Sequence, residues 1–389
     1  MIEFLQEVEK PIAKIIVIGV GGAGGNTVNS IIASKYEYIE CMVANTDSQA
    51  LEMSKAFHKI QLGIKSSKGL GAGANPEVGR RAAEEDIDKV MELAKDADIV
   101  FVTGGMGGGT GSGALPVIAR ALKEAGVLTI AVVTKPFAFE GKRRSTIAQE
   151  AIEELKKNVD TLIIIPNQKL LDAVDQKISM IDAFAMINEV LSHCVKGISD
   201  IITKPGHINV DFADVKTVMQ GRGIAVMGTG RASGLDRAEQ AAMNAISSPL
   251  LENMSIQGAQ GILLNITGGQ DLGLHEISRI ASIMHEQAHQ NAHIIIGAVI
   301  DESMQNDICV TIIATGFEQL KKDIECSDVK AKGAIRVDDI IHKTVSTDGV
   351  HGKHTGQEEA ISIDNQNRTT IDLHDLDVPT FLRKEISRQ

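Results

Sequence analysis

A glycine-rich run, Gly104 to Gly113, has the residue types and spacing that most directly predict chemistry. It reads G-G-M-G-G-G-T-G-S-G and lies between an apolar run, 99–103, and a helical run, 114–125. Glycine is needed where φ is positive or where a ligand comes too close for a Cβ atom. The N–H groups of the following helix and the hydroxyls of Thr110 and Ser112 would donate to an anion, so the run predicts a phosphate site. A flexible surface loop is the weaker interpretation, because linkers are rarely flanked so closely by a strand and a helix.

A second glycine turn follows the first apolar run of the chain, 13–19. Gly19 to Asn26 reads G-V-G-G-A-G-G-N, which matches G-x-G-x-x-G between a strand and a helix. Asp47 follows the next strand, about where a dinucleotide-binding fold places its ribose-binding acid. Taken alone, this pattern predicts an NAD-dependent dehydrogenase, which is the first rival hypothesis.

Six apolar runs rich in β-branched residues alternate with helical segments. They are 13–19, 39–44, 57–62, 99–103, 127–133 and 161–166. This alternation predicts an α/β fold with a doubly wound parallel sheet. In the common strand order 3-2-1-4-5-6, the first and fourth strands flank the ligand-binding switch point, and these are the two that end in glycine turns. Two opposed turns suit a nucleotide di- or triphosphate, whereas a dehydrogenase needs only the first turn.

A third glycine-rich segment, 69–76, precedes a helical run over 77–94. It fits two interpretations: a loop that orders against a terminal phosphate, or a mobile surface loop. The chain contains no G-x-x-x-x-G-K-[ST] motif. It is therefore not an ordinary P-loop NTPase.

The sequence after residue 180 predicts a long strut and a second folded unit. Apolar residues recur with a helical period over 181–202, which predicts a central helix of about six turns. Strand-like and helical runs then alternate as far as Phe317, and predict a smaller second α/β domain. Beyond it the chain is polar and aperiodic, which predicts a disordered tail. The predicted divisions are an N-terminal extension (1–12), a nucleotide-binding domain (13–180), the central helix (181–203), an activating domain (204–317), a linker (318–374) and a terminal peptide (375–389).

Composition and charge exclude several classes of protein. The formal net charge of −12 and the absence of clustered Lys and Arg argue against a nucleic-acid partner. Four scattered cysteines without a C-x-x-C pair suit a reducing cytosol. The first eleven residues carry three glutamates and lack the pattern of a secretory signal, and no apolar run reaches membrane-spanning length. We therefore expect no direct membrane insertion, so that any link to a membrane is indirect.

Acidic residues of the second unit are candidates for catalysis. Asp211 and Asp214 lie three residues apart, with Asn209 just before them. Carboxylates at this spacing can orient a water molecule or hold a cation. Capping of a helix N-terminus explains them about equally well. Because they lie far in sequence from the glycine turns, they could serve the nucleotide of a neighbouring subunit.

Two further patterns contain residue types that could carry chemistry, and they differ in how strongly they predict a functional site. Glu140 and Arg144 follow the fifth strand, where the carboxylate could accept from ribose hydroxyls and the guanidinium could meet phosphate; a solvated basic run is the alternative. His285 to His289 reads H-E-x-x-H, a spacing that places two imidazoles on one helical face in zinc proteases. The apolar residues around it already explain an amphipathic packing helix, so no metal site is predicted.

The segment Gly107 to Gly113, G-G-G-T-G-S-G, resembles the tubulin signature G-G-G-T-[GA]-T-G, with Ser112 in place of the second Thr. By this motif, the chain resembles the tubulin/FtsZ family, most closely its bacterial cell-division members. The resemblance runs in family order from Lys14 to Phe317 and includes the terminal peptide. The resemblance implies a GTPase that polymerises into filaments and forms the cytokinetic ring at the division site. A non-polymerising nucleotide-binding regulator is the second rival hypothesis.

The resemblance also implies which residues bind nucleotide. The phosphate contacts are at the first two glycine turns, the third loop senses the γ-phosphate, and Asn167, Phe184 and Asn188 hold guanine, where the family often has Asp in place of Asn188. The implied set is Gly21, Gly22, Ala23, Gly24, Gly25, Asn26, Asp47, Ala72, Gly73, Ala74, Asn75, Gly105, Met106, Gly107, Gly108, Gly109, Thr110, Gly111, Ser112, Thr134, Pro136, Glu140, Arg144, Asn167, Phe184 and Asn188.

The remaining implications concern catalysis and partners. The segment from Asn209 to Asp214 resembles the loop that completes the GTPase site of the adjacent subunit in a head-to-tail polymer. GTP or GDP, Mg²⁺ and K⁺ are the implied ligands. The terminal peptide resembles one that docks onto membrane-tethering adaptors and assembly regulators, which implies a cytoplasmic protein that assembles at mid-cell beneath the inner membrane. The implied adaptor contacts are Asp377, Pro379, Phe381, Leu382, Arg383 and Lys384.

Overall fold

The computed structural model describes residues 13–36, 38–174, 177–204, 208, 210–251 and 256–317. The predicted N-terminal extension, linker and terminal peptide lie outside these residues, and so does Asn209. Among the helices of the described ranges, none is both long enough and apolar enough to cross a membrane.

The first half of the described chain builds six parallel strands in the order β3-β2-β1-β4-β5-β6. This is the order that the alternation of strands and helices predicted. Every residue of the first strand is buried, because helices cover both faces of the sheet. The strands are β1 (Ile15–Val20), β2 (Ile39–Asn45), β3 (His58–Gln61), β4 (Ile99–Gly105), β5 (Leu128–Lys135) and β6 (Thr161–Pro166).

Seven helices accompany these strands and divide the core in two. The first and seventh helices pack on one face of the sheet through residues such as Ile31 and Leu191, and the third, fourth and fifth pack on the other. The helices are α1 (Gly21–Ala33), α2 (Ser48–Glu52), α3 (Pro76–Ala94), α4 (Thr110–Glu124), α5 (Lys142–Asn158), α6 (Asn167–Asp172) and α7 (Met180–Thr203). Helix α7 has 24 residues, so it spans about 36 Å. The predicted strut is thus present, within one or two residues at each end.

The second half adds four strands to the same sheet. The elements are α8 (Phe212–Met219), β7 (Gly223–Ser233), α9 (Arg237–Ile246), β8 (Gly261–Gly268), α10 (Leu274–Gln287), β9 (His293–Ile300) and β10 (Asp307–Thr315). The sheet continues in the order β6-β7-β10-β8-β9, and β10 runs antiparallel to both of its neighbours. A separate apolar cluster that includes Ile280 and Ile312 forms the core of this half.

The H-E-x-x-H sequence does not lie on one helical face. Helix α10 ends at Gln287, so His289 falls outside it, where its Nδ1 atom accepts from the backbone N–H of Asn291 at 3.2 Å. The two imidazoles therefore do not share a helix. Within the described residues, no group of three or more His, Cys, Asp or Glu side chains could hold a metal ion.

The burial of α7 leads to a test of its structural role. Ile198 is fully buried, whereas Ile181 on the same helix is 77% exposed. We expect Ile198→Ala to destabilise the protein by about 2–5 kcal/mol, because it leaves a cavity in a packed core. Ile181→Ala is the matched control and should cost no more than about 0.5 kcal/mol. Chemical denaturation with GDP present measures both, and equal costs would contradict the assigned packing.

Candidate functional site

The two glycine turns meet at the carboxyl ends of β1 and β4. A Cβ atom placed on Gly21, whose φ is +72°, would lie 3.2 Å from the backbone N of Gly111. One placed on Gly111 would lie 2.4 Å from the carbonyl O of Gly105, which is closer than real Cβ contacts allow. Glycine is therefore required here by backbone approach. The shared crevice predicted from the strand order is present.

A cavity of about 460 Å³ opens at this meeting point. That volume is in the range of small-molecule and cofactor sites. Its walls come from the two glycine turns, from the residues that follow β5 and β6, and from one side of α7. The lining residues are Val20, Gly21, Gly22, Ala23, Asn26, Gly105, Met106, Gly108, Gly109, Thr110, Gly111, Thr134, Pro136, Glu140, Arg144, Asn167, Phe184, Ile187, Asn188 and Leu191.

Two helix N-termini converge on one end of the cavity. Helix α1 begins at Gly21 and α4 begins at Thr110, and both residues line the cavity. The first N–H groups of a helix have no intrahelical acceptor, and the helix dipole makes this end positive. Two such ends facing one space suit a ligand with more than one anionic group.

The hydroxyls of the second turn have different roles. Thr110 lines the cavity, and its Oγ1 atom lies 2.6 Å from Oγ1 of Thr46. Ser112 is buried, and its Oγ atom accepts from the N–H of Gly107 at 2.8 Å. The prediction that both hydroxyls point at an anion therefore needs correction. Ser112 stabilises the turn from within and does not line the cavity.

The third glycine-rich segment packs directly behind the second turn. A Cβ atom on Gly109 would lie 2.7 Å from Cβ of Ala72 and 2.9 Å from the backbone N of Asn75. The Asn75 side chain caps α3 by accepting from the N–H of Glu77 at 3.0 Å. These contacts hold residues 72–75 next to the end of the cavity where the two helix N-termini converge. None of these four residues lines the cavity itself. A role in sensing a terminal phosphate stays a prediction.

An ion pair borders the cavity between its two ends. Glu140 Oε2 lies 2.5 Å from Arg144 Nη1, and Glu140 Oε1 accepts from the N–H of Phe137 at 2.9 Å. Two donors thus hold the Glu140 carboxylate. The half-exposed guanidinium of Arg144 is therefore more available than the carboxylate for contact with a ligand. The alternative of a merely solvated basic run does not account for this arrangement.

The opposite end of the cavity combines an amide with aromatic and apolar walls. Asn167 is 5% exposed, and its Oδ1 atom has no hydrogen-bond partner within the described structure. Phe184 packs edge-on against Phe137, with ring centroids 5.4 Å apart. A buried acceptor without a partner is costly, so this atom is satisfied when a ligand donates to it. A planar heterocycle with N–H groups fits both features.

Sequence reasoning missed three apolar residues of the cavity lining, namely Val20 at the end of β1 and Ile187 and Leu191 on α7. Ile187 and Leu191 looked like ordinary core positions because they follow the helical period of α7. Ile187 lies three residues after Phe184, and Leu191 lies three residues after Asn188, both of which were predicted to hold the base. Helical spacing of three residues from a predicted ligand contact was the available signal.

Other predicted nucleotide contacts lie outside the cavity wall. Asp47 caps α2, because its Oδ1 atom accepts from the N–H groups of Gln49 and Ala50 at 2.9 and 3.3 Å. A Cβ atom on Gly24 would lie 2.5 Å from the carbonyl O of Thr103, so this glycine permits α1 to pack on β4. The predicted residues that do not line the cavity are Gly24, Gly25, Asp47, Ala72, Gly73, Ala74, Asn75, Gly107 and Ser112.

The acidic pair lies at the far end of α7. Asp211 caps α8 by accepting from the N–H of Asp214 at 2.9 Å, and both residues are exposed. Phe184 and Asn188 contact the cavity from the first turns of α7, whereas the acids follow its last turn. Between Asn188 and Thr203, the last residue of α7, the helix rises about 23 Å. The capping interpretation is correct for Asp211, and the acidic pair does not line the cavity of its own chain.

The glycine turns provide a test of ligand binding with an internal control. Gly111→Ala should lower both folding stability and nucleotide affinity, because its Cβ would collide with the backbone of Gly105. A Cβ atom on Gly108 meets nothing within 4 Å. Gly108→Ala should therefore leave the thermal midpoint of the nucleotide-free protein unchanged and weaken nucleotide binding, because it projects into the ligand's space. Calorimetry and thermal unfolding measure the two effects, and unchanged nucleotide affinity in both variants would contradict the assignment of this cavity.

Two protein-family models match separate parts of the chain. Residues 14–175 match the GTPase domain of the Tubulin/FtsZ family, and residues 223–318 match the C-terminal domain of the FtsZ family. The chain is 47% identical over 388 residues to the cell division protein FtsZ of Pseudomonas aeruginosa, covering 96% of this chain and 97% of that protein. It is 51% identical over 328 residues to the cell division protein FtsZ of a Wolbachia species, covering 81% and 82%.

Solved structures resemble the fold over most of the chain. An empty FtsZ dimer from M. jannaschii has a TM-score of 0.77 and 43% identity, covering 80% of this chain and 90% of that one. CetZ2 from Haloferax volcanii, solved as a protofilament with bound GTPγS, has a TM-score of 0.67 and 21% identity, covering 81% and 99%. At that lower identity, the likeness shows the fold alone.

Proposed function

The chain belongs to the tubulin/FtsZ family and is a filament-forming GTPase of cell division, and we propose that its GTP site is completed by carboxylates of an adjacent subunit. The family membership excludes the dehydrogenase hypothesis. The observation that carries the proposal is the position of the acidic pair, which lies one length of α7 away from the cavity of its own chain.

The cavity has the features that GTP requires. The N-termini of α1 and α4 suit the phosphates, and Arg144 adds the positive side chain of the wall. The unpartnered Oδ1 atom of Asn167 would accept from a ring N–H or amino group of guanine, while Phe184 supplies an aromatic surface against the base. Guanine offers such donors on the same edge as its carbonyl, so the base end fits a purine of this type.

The proposed role of the adjacent subunit follows from what lies at each end of helix α7. Helix α7 contacts the cavity with its first turns, and its last turn leads to Asp211 and Asp214. If subunits stack head to tail along this direction, the exposed acids of one subunit come to the open cavity of the next. There they would orient the attacking water and stabilise the charge that develops on it. Asn209 is proposed to share this role, although it lies outside the described residues.

Metal ions are proposed to enter with the nucleotide. Mg²⁺ usually keeps several waters and binds through substrate phosphates more than through an all-protein cage. This fits the described part of the chain, where no cluster of three metal-ligating side chains occurs. The ion would neutralise negative charge on the phosphates. K⁺ is proposed as a second cation near the completed site.

Neutralising the acids should separate binding from catalysis. Asn caps a helix as well as Asp does, so Asp211→Asn keeps the start of α8 intact while it removes the charge; Asp214→Asn removes the second charge. We expect GTP affinity to stay unchanged and turnover to fall by about 100-fold or more, because a positioned carboxylate typically contributes 10² to 10⁴ in rate. Equilibrium binding and phosphate release measure the two quantities.

A matched control and a second measurement make this test decisive. Asp236→Asn removes the same charge from an exposed site before α9, so it should have no effect on turnover. The specific activity of the unmodified protein should also fall on dilution below the assembly threshold. The adjacent-subunit proposal fails if GTP affinity falls in parallel with rate in the acid variants, or if activity per molecule is constant on dilution.

We also propose that the terminal peptide recruits filaments to the membrane through division adaptors, which would place the protein in the cytoplasm beneath the inner membrane. Phe381 and Leu382 are apolar anchors for an adaptor groove, Pro379 limits the unbound ensemble, and the charges of Asp377, Arg383 and Lys384 flank them. A single short motif of this kind binds weakly. Many copies along a filament raise the effective concentration, so attachment would depend on polymerisation.

Deleting residues 375–389 tests this second proposal. Turnover and filament formation in solution should be unchanged, because both folded units end before this segment. Co-sedimentation with lipid vesicles coated with a division adaptor should be lost. A deletion of equal length in the linker, 345–359, is the control and should preserve co-sedimentation. Equal recruitment of the two deletion variants would contradict a role for the peptide.

A further inference from the structure

An apolar groove lies at the outer edge of the sheet, away from the nucleotide cavity. It has a volume of about 440 Å³ and lies between the end of α1 and the starts of β2 and β3. Its apolar wall includes Ile32, Tyr36, Ile39, Cys41 and Phe57. Burial raises the pKa of the Cys41 thiol to about 12, so this side chain stays neutral and adds to the apolar wall.

The groove has a large apolar side chain that no described residue covers. Phe57 is 91% exposed, and the nearby Met53 is 83% exposed. A concave apolar surface with an exposed aromatic rim is typical of a docking site. Two lysines, Lys35 and Lys55, also line this groove, and among the described residues its one acidic lining side chain, Glu40, pairs with Lys14 at 3.5 Å.

The first twelve residues of the chain have the complementary pattern. Met1, Phe4, Leu5 and Val8 have a spacing that places them on one face of a helix, and Ile2 is the one apolar residue before Pro11 that lies off this face. Three glutamates stand at positions 3, 7 and 9. An acidic, amphipathic segment therefore has both the apolar face and the charge that the lysine-rimmed groove would bind.

The point at which the described chain begins brings this segment to the groove. Lys14 precedes β1, and Ile15 pairs with Ile39 of β2, which lines the groove. Because adjacent strands are about 4.8 Å apart, the groove at β2 and β3 is about 10 Å from the start of β1. Three extended residues cover that distance, which leaves residues 1–9 free to lie in the groove.

We propose that residues 1–9 dock into this groove of the same chain, with Phe4 and its apolar neighbours against Phe57 and Ile39, and with the glutamates near Lys35 and Lys55. The interaction covers the apolar edge of the sheet beside the short edge strand β3. Unprotected sheet edges and apolar patches promote unwanted association. Docking of the segment would therefore keep contacts between chains away from this edge.

Tryptophan fluorescence tests the proposal directly, because the chain contains no Trp. Phe4→Trp introduces one reporter in the full-length protein, measured with GDP at low protein concentration. We expect a blue-shifted emission and slow quenching by acrylamide. Adding Phe57→Lys should shift the emission to that of a solvent-exposed Trp, and this change cannot disturb folding by burial because Phe57 is almost fully exposed.

Matched variants separate docking from general effects of charge. Leu235→Lys makes the same substitution at a fully exposed residue of the β7–α9 connection and should leave the emission unchanged. Lys35→Glu with Lys55→Glu should shift it to the red, and Glu3→Lys with Glu7→Lys in the same chain should restore it. Three results would overturn the proposal. The first is a solvent-like emission from the Phe4→Trp protein, and the second is a blue shift that persists after Phe57→Lys is added. The third is a blue shift that increases with protein concentration, because that dependence indicates contact with a second copy of the chain.

Discussion

The close approach of backbone segments at the carboxyl ends of β1 and β4 is the constraint on which the rest of the structure depends. A Cβ atom on Gly111 would lie 2.4 Å from the carbonyl O of Gly105, and one on Gly113 would lie 1.9 Å from that of Pro76. No L side chain fits at either place. The glycines therefore let α4 begin at the sheet and let α3 pack against it. The same approach leaves the helix N–H groups uncovered on the side of the cavity, where they are available to a ligand.

Helix α7 is the second constraint, because it joins the cavity to the second half of the molecule. Its first turns form the base end of the cavity, and its later residues pack closely on the second set of strands. The carbonyl of Gly197 accepts from Asn265 Nδ2 at 3.1 Å, and a Cβ atom on Gly197 would lie 3.0 Å from Thr311 Cγ2. Small residues on both surfaces permit this contact. The acidic pair is thereby held at a set distance from the cavity, which is why hydrolysis is proposed to need a second subunit.

In the proposed arrangement, phosphates and base are recognised at different ends of one cavity. Helix dipoles and one arginine would serve the anionic end, and no lysine would be needed, which would explain phosphate binding without a P-loop motif. The base end would use the buried amide of Asn167 beside Phe184, Ile187 and Leu191. Apolar walls around a polar atom make its missing hydrogen bond more costly. Selectivity for a base is therefore expected from Asn167 more than from the ion pair of Glu140 with the half-exposed Arg144.

The parallel order of the first six strands, the crevice between two glycine turns and the length of α7 could all be predicted from the amino-acid sequence. Each of these follows from local patterns, namely β-branched runs, glycine spacing and helical period, which the final fold preserves. Which side chains face the cavity became known only from the three-dimensional fold. Ser112 and Asp47 accept hydrogen bonds from backbone N–H groups of their own turns. Ile187 and Leu191 form part of the wall because the orientation of α7 depends on neighbours distant in sequence. The antiparallel position of β10 between β7 and β8 was decided in the same way, since strand pairing in the second half depends on long-range packing that no local pattern encodes.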